Sequence, residues 1–234
     1  MATLLSIINA AQARLNLPIT STVVGNTSQT QKQLLSLANQ EGVETADAYA
    51  WQKLTEEYTF TTTATEEQTN CVFPDDFGWI VDETFFDRTS TLEVKGPINP
   101  REWQALKAIG SSVSEPRFRI RGDAVLFNPV PTAGHTCVFE FVSKNWCENS
   151  AGSTQYAEWN ADTDVPLLND NVFILGVIWR WKASKELDYS EAYNMWFEAR
   201  ERAAARDGAK RKLSIVGPST PRRGRGNIPE GSWT

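Results

Sequence analysis

The segment Phe118-Arg-Ile-Arg-Gly-Asp-Ala-Val-Leu-Phe-Asn-Pro-Val-Pro131 constrains the fold more than any other part of the chain. Apolar and polar residues alternate on both sides of Gly122-Asp123. A period of two is the side-chain period of a strand, and a Gly-Asp step is turn chemistry, so a tight antiparallel β-hairpin is predicted. Pro129 and Pro131 close its second strand, because proline cannot donate to a ladder. Antiparallel structure is thereby placed in the middle of a chain whose two ends are patterned as helices, which gives an α+β architecture.

Other strands are expected around the hairpin. Tyr58-Thr-Phe-Thr-Thr-Thr63 is rich in β-formers. Cys71-Val-Phe73 reads as a short strand stopped by the turn residues Pro74-Asp75-Asp76. Thr136 to Ser143 follows a turn at His135. The β-rich part is expected between residues 56 and 145, beside a mainly helical body.

Five helices are predicted. The first spans 3–16, with Thr3 as cap, a stripe of Leu4, Ile7, Ile8, Ala11 and Leu15, and a stop at Leu17-Pro18. The second spans 28–54, near 40 Å at about 1.5 Å per residue. Ser28 and Gln31 have capping-box spacing there. Its face of Leu35, Ala38, Gly42, Ala46 and Tyr49 is small enough for a neighbouring helix to approach closely, although Gly42 costs about 1 kcal/mol against alanine. The third spans 100–109, with Asn99 at the cap, Pro100 first and Glu102 three residues after the cap; it carries Trp103, Leu106 and Ile109 and stops at Gly110. The fourth, 172–187, aligns Ile174, Val177, Ile178 and Trp181. The fifth, 189–206, aligns Tyr189, Tyr193, Trp196 and Phe197, with Asp188 and Glu191 at its start and Asp207-Gly208 as its stop. The short link between the last two predicts an antiparallel pair.

Residues 1–208 therefore read as one domain, and 209–234 as an extended basic C-terminal arm. Six of the 23 basic residues but one of the 29 acidic ones lie beyond Gly208, so a net charge of −6 divides into +5 on the arm and −11 on the body. The composition after Leu213 is Gly, Pro, Ser and Arg, too poor in apolar surface to order itself without a partner. Three cysteines without C-x-x-C spacing disfavour a disulfide framework and suit assembly in a reducing cytosol. Residues 1–17 are amphipathic rather than a secretory leader, and no apolar run approaches the roughly 20 residues that span a bilayer.

The residues of catalysis are sparse. His135 is the single histidine, it sits in a turn, and no G-x-S-x-G elbow accompanies it. Asn160-Ala-Asp162-Thr-Asp164 opens like a calcium loop, but Val165 and Asn171 stand where glycine and glutamate are needed. Asp75-Asp76 and Asp82-Glu83 read as solvated loop carboxylates. Arg222-Arg-Gly-Arg-Gly226 lacks the strand and helix of a phosphate-binding loop. The expectation is a non-enzyme with no cofactor and no metal. Most of the nine tryptophans fall at apolar helical positions and predict packing rather than base stacking. Trp233 lies in the polar arm and suits an aromatic anchor. The arm's basic cluster suits either DNA phosphates or an acidic protein surface.

An ordered set of motifs carries a resemblance. These are Leu4-Leu-Ser-Ile-Ile-Asn-Ala-Ala11, Leu15-Asn-Leu-Pro18, Val24-Gly25, Gln33-Leu-Leu-Ser-Leu-Ala-Asn-Gln-Glu-Gly42, Trp51-Gln-Lys-Leu54 and Phe73-Pro-Asp-Asp-Phe77. They continue with Pro100-Arg-Glu-Trp103, Phe118-Arg-Ile-Arg-Gly122, Leu126-Phe-Asn-Pro-Val-Pro131 and Phe139-Glu-Phe-Val-Ser-Lys-Asn-Trp146. The last are Ala161-Asp-Thr-Asp164, Gly176-Val-Ile-Trp-Arg-Trp-Lys182 and Leu187-Asp-Tyr189. In this order they resemble the head-to-tail adaptor, or connector, proteins of tailed bacteriophages, most of all the short-tailed type. The resemblance covers most of the chain and marks fold and packing rather than a catalytic centre. It implies a virion structural protein, assembled in the host cytoplasm as a dodecameric ring under the portal protein, offering the attachment site for the tail or nozzle. Packaged DNA would pass through the channel without sequence-specific binding, and no membrane is involved. The arm would bind the portal through Ile215, Arg222, Arg223, Arg225 and Trp233. Alternatives are a head-completion or neck protein of a long-tailed phage, and a DNA-binding module using the basic tail.

Overall fold

A computed structural model describes residues 2–109 and 115–208. Helix α1 (Leu4–Arg14) is capped by Thr3, whose hydroxyl accepts from the Ser6 amide. It ends two residues earlier than the Leu17-Pro18 step suggests. Asn16 takes a left-handed conformation and the Leu17 amide donates to the Gln12 carbonyl, which closes the last turn. Helix α2 (Gln29–Ala48) starts at Ser28, but no side-chain cap bond forms there, so the predicted capping box is absent. It stops well short of residue 54. Tyr49 is extended, and Trp51 folds back to donate its indole N–H to the Thr45 carbonyl at 2.7 Å. Burying Trp51 and Leu54 beneath the helix outweighs continuing it.

The chain then enters strand β1 (Thr55–Thr61). Cys71-Val-Phe73 is not a strand: the Cys71 amide closes a turn onto the Gln68 carbonyl, and Val72 is exposed. The strand in this region is β2 (Phe77–Ile80), followed by the two-residue strands β3 (Phe86–Asp87) and β4 (Leu92–Glu93). Helix α3 (Pro100–Ile109) carries the predicted cap, with the Glu102 amide bonded to the Asn99 side chain at 2.9 Å. Trp103 and Leu106 are buried, whereas Ile109 is exposed and is not part of the core. Gly110, the expected stop, lies outside the described residues.

The hairpin forms as β5 (Arg117–Arg121) and β6 (Ala124–Asn128), in the expected register, with Arg121 opposite Ala124 and Gly122 left-handed at the turn. Strand β7 (Thr136–Ser143) is the spine of the main sheet. It pairs along its length with β1, from Thr55↔Val142 to Thr61↔Thr136, while β2 and β3 share its other edge. Strands β8 (Cys147–Glu148), β9 (Gln155–Tyr156) and β10 (Val165–Pro166) make a small separate sheet. Helices α4 (Asp170–Ser184) and α5 (Ser190–Asp207) close the described chain. Residues of the first turns of α4 pack against the last of α5, which makes the pair antiparallel as expected.

Two cores result. One lies among α1, α2 and α4, around Trp146, Trp159 and Phe173. The other is phenylalanine-rich and sits between the main sheet and the hairpin, with Phe60, Phe85, Phe118, Phe127, Phe139 and Phe141. Strand alternation joins them: Phe139 and Phe141 face the second core and Val142 the first. The fold is α+β, but its body is not mainly helical. Among the described residues α3 is the only helix between 49 and 169, and strand pairing reaches from Thr55 to Pro166 rather than 56 to 145. The sequence pattern concentrated on the two helical ends and understated the extended chain between them.

Candidate functional site

Several of the titratable residues singled out in the sequence are bonded within turns and between strands. His135 is not a solvated turn residue. Its Nδ1 lies 2.7 Å from Asp87 Oδ2, and Asp87 also accepts from the Thr89 and Ser90 amides. Burial works to raise the Asp87 pKa, but hydrogen bonds from Ser90, His135 and the Thr89 amide outweigh it and lower it. Asp162 accepts from the Val23 and Val24 amides, and Asp164 from those of Asn160 and Ala161. The stretch that opens like a calcium loop is therefore a carboxylate-pinned turn. Asp76 accepts from the Ser143 hydroxyl at 2.6 Å. Among the described residues no group of three or more His, Cys, Asp or Glu is placed to hold a metal. Nor is any helix there long and apolar enough to cross a membrane. The main sheet carries an open groove of about 700 Å³ between Glu57, Phe86, Arg88 and Glu140, with Arg88 paired to Glu57 at its rim.

One polar cluster escaped the sequence reading. Arg180 of α4 and Glu41 of α2 form an ion pair inside the helical core, both nearly inaccessible, and Arg180 also reaches Glu44 at 2.5 Å. Glu41 accepts in addition from the Trp196 indole and the Thr45 hydroxyl, each at 2.7 Å. Its carboxyl sits where a Cβ on Gly176 would be, so glycine there makes the room. Burial raises the Glu41 pKa to about 7, against the opposing pull of Arg180. A signal existed: Leu34, Ala38, Glu41, Gly42 and Thr45 lie on one helical stripe, and a glutamate inside an apolar stripe needs a partner.

The second feature missed is the surface of α5. The helix buries Ala192, Trp196, Ala199 and Ala204. Tyr189, Tyr193 and Phe197, expected to share the core with Trp196, are instead exposed. Trp196 and Ala199 pack against Val172 and Leu175 of α4, and this orientation leaves the other three aromatics on the outer side of the helix. Tyr193 meets Trp179 of α4 edge-on at 5.3 Å and lies parallel to Phe197 at 6.4 Å, so the exposed rings form one surface. Six of the tryptophans (51, 103, 146, 159, 181 and 196) are buried, in line with packing roles. Ile215, Arg222, Arg223, Arg225 and Trp233, the residues assigned to portal binding, lie outside the described residues. No protein-family model matches the chain, and no curated protein is significantly similar to it.

Proposed function

We propose that the protein is a structural subunit of a tailed-phage virion, an adaptor that assembles as a ring beneath the portal and offers the attachment site for the tail or nozzle. The observation that carries this reading is the division of charge: an α+β body of −11 ends, at Gly208, in a basic segment of +5. The ordered motifs that resemble the adaptor family support it from the side of sequence. Segments of this composition order on binding and cover a large surface at modest affinity per unit area; repetition around a ring multiplies that contact. Ile215, Arg222, Arg223, Arg225 and Trp233 are the proposed portal contacts. An acidic body also suits a channel wall, since like charge lets packaged DNA slide without being held.

The basic segment favours one other reading, a DNA-binding module. That reading predicts affinity falling steeply with salt and lost with the tail. The deciding experiment is pull-down on portal rings from the same phage, with the full chain and with a chain cut after Leu213. Retention of the full chain alone supports the adaptor reading and the arm assignment. Retention of both keeps the adaptor and moves the contact to the body. Retention of neither, on intact rings, overturns the portal assignment.

A further inference from the structure

The β-rich part has two outer faces of opposite charge. The main sheet and the hairpin enclose the phenylalanine core between them, so residues that alternate with the core-facing ones point outward on either side. On β5, Phe118 and Ile120 turn to the core. Arg117, Arg119 and Arg121 therefore form a row on the opposite face, about 7 Å apart along the strand. Residues 95–128 hold six basic and three acidic side chains, a net of +3 within a body of −11. Two of the six are committed, Lys95 to Glu115 and Lys107 to Glu66. Among the described residues no ion pair involves Arg101, Arg117, Arg119 or Arg121. Arg119 is half-buried and Arg121, next to the turn, is exposed.

The outer face of the main sheet carries the other sign. Glu57 of β1 stands directly across from Glu140 of β7. Phe86 of β3 stands across from Val138 of β7 on one side and Glu93 of β4 on the other. Phe139 and Phe141 turn to the core, so all of these share the outward face. Like charges directly opposite on neighbouring strands, with Cβ atoms about 5 Å apart, are unfavourable. Arg88 relieves Glu57. Glu140 and Glu83 line the same groove, are exposed, and enter no ion pair among the described residues. Phe86 is 41% exposed in their midst. A ring set among carboxylates suits a guanidinium, which stacks on the one and donates to the others.

We propose that this groove receives the arginine row of a second copy, with Arg119 and Arg121 of one hairpin set against Glu83, Phe86 and Glu140 of the next sheet. The two faces lie on opposite sides of one molecule, so two copies alone cannot satisfy both. Each contact leaves a face open, and the association repeats head to tail, closing as a ring or continuing as a filament. Closure as a ring rests on the adaptor reading; the contact itself needs no portal.

The test is sedimentation velocity of the full chain without portal, at low salt and about 0.5 mM, conditions that reveal weak charged contacts. Two charge-reversed variants are compared, Glu83→Lys with Glu140→Lys and Arg119→Glu with Arg121→Glu, each checked for an unchanged circular dichroism spectrum. The native chain should associate beyond the dimer. Each variant alone should associate at least about tenfold more weakly, since its faces now repel. An equal mixture of the two should regain the native behaviour, because every contact between unlike variants again joins opposite charges. A native chain that stays monomeric, or a mixture no better than its parts, would overturn the proposal. So would loss of association in the glutamate variant alone, which would give the groove to another basic segment. Any of these results leaves portal binding to be decided by the pull-down.

Discussion

Gly42 shows how a residue with poor helix propensity is retained by packing. A Cβ built there would lie 2.3 Å from the Trp146 ring, which is fully buried and meets Trp159 edge-on at 5.0 Å. The indole therefore rests against bare backbone in the middle of α2, and glycine's propensity cost of about 1 kcal/mol is offset by that contact. Replacing Gly42 with alanine forces the ring or the helix to move. Gly42→Ala should destabilise the protein by about 1–3 kcal/mol despite alanine's better propensity, read as a lower urea midpoint at unchanged slope. A raised midpoint would mean that the Trp146 contact is not close. The sequence indicated that this helix face admits a close neighbour; it did not indicate that the neighbour is a tryptophan from residue 146, because that contact is made only in the tertiary fold.

Among the elements, those written in a local pattern were legible: α1, α3, the β5–β6 hairpin and β7 all stand where periodicity and caps put them. Strand β2 was not legible, since Phe77–Ile80 is defined by pairing with β7 far along the chain rather than by its own alternation. The orientation of α5 was misread because all four aromatics were taken as buried, whereas Trp196 with Ala199 makes the buried contact with α4 and Tyr189, Tyr193 and Phe197 stay exposed. The junction of α2, α4 and α5 is held by Glu41, which bonds Arg180 on one helix and the Trp196 indole on the other. Burial sets its pKa at about 7 in the fold against an ordinary 4.5. A group raised in this way contributes stability that is complete below about 4.5 and is lost as pH rises through about 7. Lowering pH from 8 to 5 should therefore stabilise the native chain through this group, by on the order of 3 kcal/mol. The same comparison in Glu41→Gln, by urea unfolding at both pH values, should lack that gain. An equal gain in the variant would assign the effect to another group.

At the scale of the whole molecule, an acidic α+β body is followed by a basic C-terminal segment, and the outer face of α5 exposes Tyr189, Tyr193 and Phe197, with Arg200 over the Phe197 ring. The body's architecture was partly legible from sequence, though its helical share was overstated because extended, weakly patterned chain makes up the region between α2 and α4. The residues assigned to portal binding lie outside the described residues, so partner binding itself is the decisive test. That test is native mass spectrometry of portal rings from the same phage incubated with the full chain. The adaptor account predicts a mass increment of about twelve copies per ring, since repeated weak contacts around a ring reinforce one another. A portal ring of unchanged mass, or one holding a single copy, would contradict it.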